Sequence, residues 1–323
     1  MVKFARAFVA AASVLTLAVS ALSGPGLSAP ALAAARDAAT PNAATPNAAT
    51  PAAGPSILTV PVRVAVTDDG NVGYRELGSG PPLLLIMGLG GTMDNWSPSF
   101  VDALAAHHKV VVFDNAGVGE TAAISSPLTI TGMADQTSAL ISALHLAPTF
   151  VLGWSMGGMI AQALAVLHPS QVNRLVLAAT QAGTGKAVPP SAAAAASINS
   201  DSPSVELSVL FPPSASAIAE MYGFSVLRYP DLYVVLPKVK VEQGSAVDQW
   251  FVGSDAAGRE VASVKVPTLV ADGTEDALDP VSNDKQLAGL IKGAQLMLYP
   301  GAGHAFWFQD ESAFLGRLGA FLG

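Results

Sequence analysis

Phe150-Val151-Leu152-Gly153-Trp154-Ser155-Met156-Gly157-Gly158 runs from an apolar segment into a helix-period stretch that continues to His168. The apolar segment has the length and content of a strand buried on both faces. A strand that gives way to a helix this quickly must turn sharply, and Ser155 stands at the turn. Glycines two residues to either side leave room where a side chain would strike the neighbouring strand or helix. The turn lifts the hydroxyl clear of the backbone, so that a base can make a weak nucleophile into a strong one. The following helix points its N-terminus at the same spot, which favours developing negative charge.

Working outward, short and almost wholly apolar runs recur at 83–87, 110–113, 175–178 and 268–271, and helix-period stretches such as 130–146 lie between them. Strand and helix in alternation predict a doubly wound, mostly parallel α/β sheet. Upstream, 57–60 and 62–67 read as strands, Asp68-Asp69-Gly70-Asn71 as a turn, and 74–77 as the returning strand of a hairpin. The rhythm breaks once, from Gln181 to Ser263, where the chain is rich in Ala, Ser and Pro and carries Tyr222, Phe224, Trp250 and Phe251. This segment is expected to form a helical cap over the sheet. The catalytic domain is then 56–180 with 264–323, closing on a strand at 295–299 and a helix through Phe321.

Lys3 and Arg6 precede an apolar run that ends near Leu22, and Ala31-Leu32-Ala33 offers a small-x-small cleavage site. Residues 1–33 therefore read as an export signal, which makes the protein extracytoplasmic, with no membrane span once the signal is cleaved. Residues 34–55 contain the repeat TPNAATPNAATPAAG, an extended spacer whose threonines are open to glycosylation. The whole chain has a net charge of −8, falling to about −10 without Lys3 and Arg6. Such a balance, with no basic run, excludes nucleic acid as a partner. There is no cysteine, so thiol catalysis and lipid anchoring through cysteine are excluded.

The serine turn makes residues 57–323 resemble the α/β-hydrolase superfamily. That resemblance implies a triad in the order Ser, acid, His. Val270-Ala271-Asp272-Gly273-Thr274-Glu275-Asp276 is similar to the family's strand followed by G-x-x-D, and Tyr299-Pro300-Gly301-Ala302-Gly303-His304 to its last strand, glycine turn and histidine. Ser155 is then the nucleophile, His304 the base, and Asp276 the acid that holds the imidazole in the right tautomer. Asp272, Glu275 and Asp279 compete with Asp276 for that role. Met87-Gly88-Leu89-Gly90-Gly91 resembles the family's H-G-x-G-G loop, with Met87 in the histidine's place. The resemblance makes the backbone N–H groups of Leu89 and Met156 the oxyanion hole.

Asp114-Asn115-Ala116-Gly117-Val118-Gly119 is similar to the family's D-x-R-G-x-G turn, with Ala116 replacing arginine, and reads as structural. It lacks the third glycine of a dinucleotide loop. His107, His108, His145 and His168 fit no motif, and no spacing of His, Asp and Glu suggests a metal. Trp96, Trp250, Phe251 and Phe306 are candidates for an acyl pocket. Together these readings describe an exported hydrolase that cleaves an ester of a small, fairly apolar substrate through an acyl-enzyme, without a cofactor. C–C bond hydrolysis, thioester or lactone cleavage, aminopeptidase action and cofactor-free perhydrolysis share the same motifs. A binding protein on this scaffold is the alternative of another class, although it would not need an intact triad.

Overall fold

Arg63–Thr67 (β1) and Gly70–Leu77 (β2) form the expected hairpin in this computed structural model, which describes residues 55–323 apart from 125, 199 and 201. The export signal and the Thr/Pro repeat at 40–54 lie outside the described residues. Ile57–Thr59 is a short 3-10 turn and not the strand its alternation suggests. The N–H of Ile57 donates to Asp102 Oδ1 at 2.7 Å and its side chain is fully buried, so this backbone joins no ladder.

The strands β3 (Pro82–Ile86), β4 (Lys109–Phe113), β5 (Thr149–Trp154), β6 (Val172–Ala178), β7 (Thr268–Gly273) and β8 (Gln295–Tyr299) complete an eight-stranded sheet in the order β1-β2-β4-β3-β5-β6-β7-β8. β1 and β2 pair antiparallel, as do β2 and β4, and every other pair is parallel. The period-2 alternation of side chains gives the central strands two buried faces, while the edge strands β1 and β8 stay largely exposed. Leu83 and Leu85 point into one core with Trp96, Phe100 and Phe314, and Leu84 and Ile86 into the other with Ile160 and Leu164. Helices α1 (Pro98–Ala105), α2 (Ile130–Ala143) and α3 (Met156–Leu167) connect the central strands.

This strand order fixes where a site must form. From β3 the chain steps outward to β4, then returns to place β5 on the other side of β3. The loops leaving β3 and β5 therefore diverge, and they open a crevice at the carboxyl ends of the strands.

Between β6 and β7 lie α4 (Ala192–Ile198), α5 (Pro203–Leu210), α6 (Ser216–Val226), α7 (Pro237–Phe251) and α8 (Ala256–Arg259). Leu210, Phe211, Ala219, Tyr222 and Tyr229 extend the first core upward, so this part is a cap. The end of α7 and all of α8 behave differently, because Ala246, Trp250 and Ala257 belong to the second core beside α3. After β7 follow α9 (Ser282–Leu290), α10 (Phe306–Gln309) and α11 (Glu311–Leu322). No helix among the described residues is long and apolar enough to cross a membrane.

Candidate active site

Ser155 takes φ +58° and ψ −123° between β5 and α3, a strained conformation for a residue with a side chain. The surroundings enforce it. Ser155 N–H donates to Ala178 O at 2.9 Å on the neighbouring strand, and the Thr180 hydroxyl donates to Ser155 O at 2.8 Å. A Cβ on Gly153 would lie 2.2 Å from Gly157 O, and one on Gly157 would lie 2.1 Å from Ile86 O. Only glycine allows β3, β5 and α3 to meet this closely. Ser155 itself is half-buried, and its hydroxyl makes no hydrogen bond among the described residues.

The crevice brings the β3 loop against the serine. A Cβ on Gly88 would stand 3.1 Å from the Cβ of Ser155 and 3.7 Å from its Oγ. Asn115 Nδ2 donates to Met87 O at 2.8 Å, so an asparagine supplies polar support to a loop whose histidine is replaced by Met87. Met87 is buried and would crowd any Cβ on Gly91 at 2.7 Å. Asp114 is structural as expected: Oδ1 accepts from Met93 N–H at 2.8 Å, and Oδ2 accepts from the Tyr233 hydroxyl of the cap. Burial pushes its carboxyl up to about 6, against those two hydrogen bonds.

His304 follows β8, and its Nδ1 lies 2.6 Å from Asp276 Oδ2, with both side chains buried. The other oxygen of Asp276 accepts from Leu278 N–H at 2.6 Å and Asp279 N–H at 2.9 Å, which fixes the carboxylate in one orientation. Trp154, beside the serine, donates its indole N–H to His304 O at 2.9 Å and packs its ring 5.4 Å from the imidazole. The loops bearing Ser155 and His304 are thus tied directly together.

The competing acids do not meet the histidine. Asp272 Oδ1 accepts from Gly273 N–H at 2.7 Å and Asp279 Oδ1 from Asn283 Nδ2 at 2.7 Å. These two converge with Asp284 of α9, each offering an oxygen within 4.8 Å of the others. Sequence spacing gave no hint of this cluster. Desolvation, then repulsion from neighbouring carboxylates, raises all three: Asp279 to about 7, Asp284 to about 9, and Asp272 well above the usual range.

Three of the four expected pocket residues, Phe306, Trp250 and Trp96, are fully buried core packing. Phe306 stacks on Tyr299 at 5.0 Å, fully buried beneath the histidine loop. Trp250 is wedged between Gly183 and Gly258 and donates its indole N–H to Gln181 O at 3.0 Å. Phe251, next to it, packs half-buried on the same second core. Trp96 is fully buried against Trp307 at 4.9 Å and Trp154 at 6.2 Å, in an aromatic cluster that reaches His304. The cap closes over that cluster: Tyr222 and Tyr229 donate their hydroxyls to Asn95 O at 2.8 Å and Trp96 O at 2.9 Å.

A serine held in this turn, at the switch point of this sheet, marks a hydrolase of α/β architecture. Residues 81–206 match the family model for the alpha/beta hydrolase fold. The Mycobacterium tuberculosis protein named as the non-heme bromoperoxidase BpoC is 30% identical over 258 residues, 75% of this chain and 94% of that one. A poly(3-hydroxyalkanoate) depolymerase of Ectopseudomonas oleovorans is 32% identical over 230 residues, 70% of this chain and 78% of its own. Among solved structures, an alpha/beta hydrolase fold protein from Chitinophaga pinensis is similar with a TM-score of 0.73 and 23% identity, over 83% of this chain and 99% of that one. The chain belongs to the α/β-hydrolase family.

Proposed function

We propose that this protein is an exported serine hydrolase that cleaves a carboxylic ester of a small, apolar substrate through an acyl-enzyme. The observation that carries the reading is the buried pair of His304 Nδ1 and Asp276 Oδ2 at 2.6 Å, tied through Trp154 to the strained turn at Ser155. Ser155 Oγ attacks the ester carbonyl as His304 Nε2 takes its proton. The N–H groups of Leu89 and Met156 hold the oxyanion, each such donor being worth a factor of about a hundred or more. His304 returns the proton to the leaving alcohol, and water, activated by the same imidazole, releases the acid. The likeness to a poly(3-hydroxyalkanoate) depolymerase supports an acyl–oxygen bond as the target. Export rests on residues 1–33 of the sequence.

The likeness to a protein named as a bromoperoxidase favours one second reading. Hydrogen peroxide in place of water would attack the same acyl-enzyme, forming a peracid and regenerating the serine.

Labelling by a fluorophosphonate, together with ester hydrolysis, tests the main reading. The wild type is labelled and Ser155→Ala is neither labelled nor active, while its melting temperature stays near that of the wild type. Retention of more than a few per cent of activity in clean Ser155→Ala protein overturns the assignment.

A further inference from the structure

The loop 87–91 is anchored from both the core and the cap. On the core side Asn115 Nδ2 holds Met87 O at 2.8 Å. On the cap side Gln243 Oε1 accepts from Gly90 N–H at 2.8 Å, although 153 positions separate the two residues. These contacts fix the peptide planes on either side of the Gly88–Leu89 peptide. That middle peptide carries the Leu89 N–H, and its own carbonyl accepts from Gly91 N–H at 3.3 Å. Leu89 N–H therefore cannot swing without breaking one of these bonds.

The first turns of α7 cover this loop and the next one. The stem of Lys240 lies 3.3 Å from where a Gly90 Cβ would be, and Val239 lies 3.2 Å from the same point on Gly117. Lys240 Nζ donates to Ser200 O at 3.2 Å and pairs with Glu206, which ties α7 to α5. Gln243 is fully buried, and its Nε2 has no partner among the described residues. A buried carboxamide is costly unless it is bonded. The bond from Gly90 is the one this side chain makes, where an apolar residue of equal length would pack without the cost.

We propose that Gln243 is a positioning residue: from the cap, it holds the Leu89 N–H in line with the developing oxyanion, so that the hole is complete when α7 is seated. The inference rests on the roles proposed above for Ser155 and Leu89. The cap then contributes to turnover through a backbone bond as well as by covering the site.

Gln243→Met keeps the length and removes the acceptor. Its kcat on an acyl ester is expected to fall about ten- to a hundredfold, because a small misplacement of a catalytic group costs that much. KM stays within about threefold, since the bond acts in the transition state. Affinity for a trifluoromethyl ketone, whose serine adduct carries the oxyanion, falls in parallel, and exchange of the Gly90 amide with solvent speeds up. Val241→Ala, at an exposed position on the same helix, leaves all of these unchanged. Should Gln243→Met not fold, Gln243→Glu decides: Gly90 stays protected and the ketone still binds, whereas loss of both in a folded protein overturns the proposal. A wild type that reacts with fluorophosphonate, beside a Gln243→Met with unchanged kcat and ketone affinity, overturns this inference alone. A wild type that neither reacts nor binds the ketone overturns the serine-hydrolase reading and this inference with it.

Discussion

Asp276 divides its two oxygens between two tasks: Oδ2 meets His304 Nδ1 at 2.6 Å, and Oδ1 is held by the backbone N–H groups of Leu278 and Asp279. An acid clamped in this way can present only one face to the imidazole. Asp279, by contrast, turns Oδ1 toward Asn283, and its Oδ2 has no partner among the described residues. Asp276→Asn is therefore expected to lower kcat by up to about ten-thousandfold, because the amide favours the wrong histidine tautomer. Asp279→Asn should leave kcat within a few fold. Measuring kcat and KM for both variants checks the assignment, and a larger loss at Asp279 would show that the acid has been misplaced.

The cluster of Asp272, Asp279 and Asp284 predicts how stability varies with pH. Their carboxyls are raised in the folded protein by burial, so between pH 4 and 9 the folded state holds more protons than the unfolded chain. The stabilisation is complete below the unfolded value, near pH 4, and is lost as pH rises through about 7 for Asp279 and about 9 for Asp284. Asp284→Asn removes one of these protonation demands. It should raise the melting temperature at pH 5 and raise it by several degrees more at pH 8.5, since each pH unit between the unfolded and folded values costs the folded state up to about 1.4 kcal/mol. A variant that melts in parallel with the wild type at every pH would show that Asp284 bears no such proton.

What was legible in the sequence depended on how local its cause was. The turn at Ser155 could be read because a short strand, paired glycines and a helix repeat all lie within a few residues. The apolar runs of the parallel strands were equally plain, since burial on both faces leaves no polar position. Ile57 misled because an apolar alternation records burial and not backbone pairing, and Asp102 took its N–H. Trp250 and Phe306 looked like pocket linings because aromatic content does not say which face a residue packs on. Gln243 and the three clustered aspartates carried no local signal, and their meaning depends on how α7 and α9 sit against distant loops.

Trp250 is expected to matter for folding and not for specificity. Its ring fills the gap between Gly183 and Gly258, and its N–H satisfies Gln181 O. Trp250→Ala empties that gap and leaves Gln181 O with Gln162 Nε2, at 3.2 Å, as its remaining donor, at a cost of about 3–5 kcal/mol. Denaturant titration should show this loss. Relative rates on short and medium acyl esters should not change, and a shifted chain-length preference in folded protein would return Trp250 to the substrate site.

Selection of the acyl chain is expected from a different part of the cap. Leu207, Phe211, Pro212, Ala219 and Phe224 surround a cavity of about 270 Å³ between α5 and α6. Its floor adjoins the histidine loop, because Leu210 O accepts from Ala305 N–H at 2.9 Å and Phe211 packs on Phe308 at 6.3 Å. The lining is largely apolar, which suits methylene groups, and each one buried is worth about 0.8 kcal/mol, or roughly fourfold in rate. Ala219→Phe would fill part of this space without touching Ser155, Asp276 or His304. Hydrolysis of octanoyl esters should then fall at least about tenfold relative to acetyl esters, with acetyl turnover held near that of the wild type. If Ala219→Phe hydrolyses every chain length in wild-type proportion, the cavity does not receive the acyl chain.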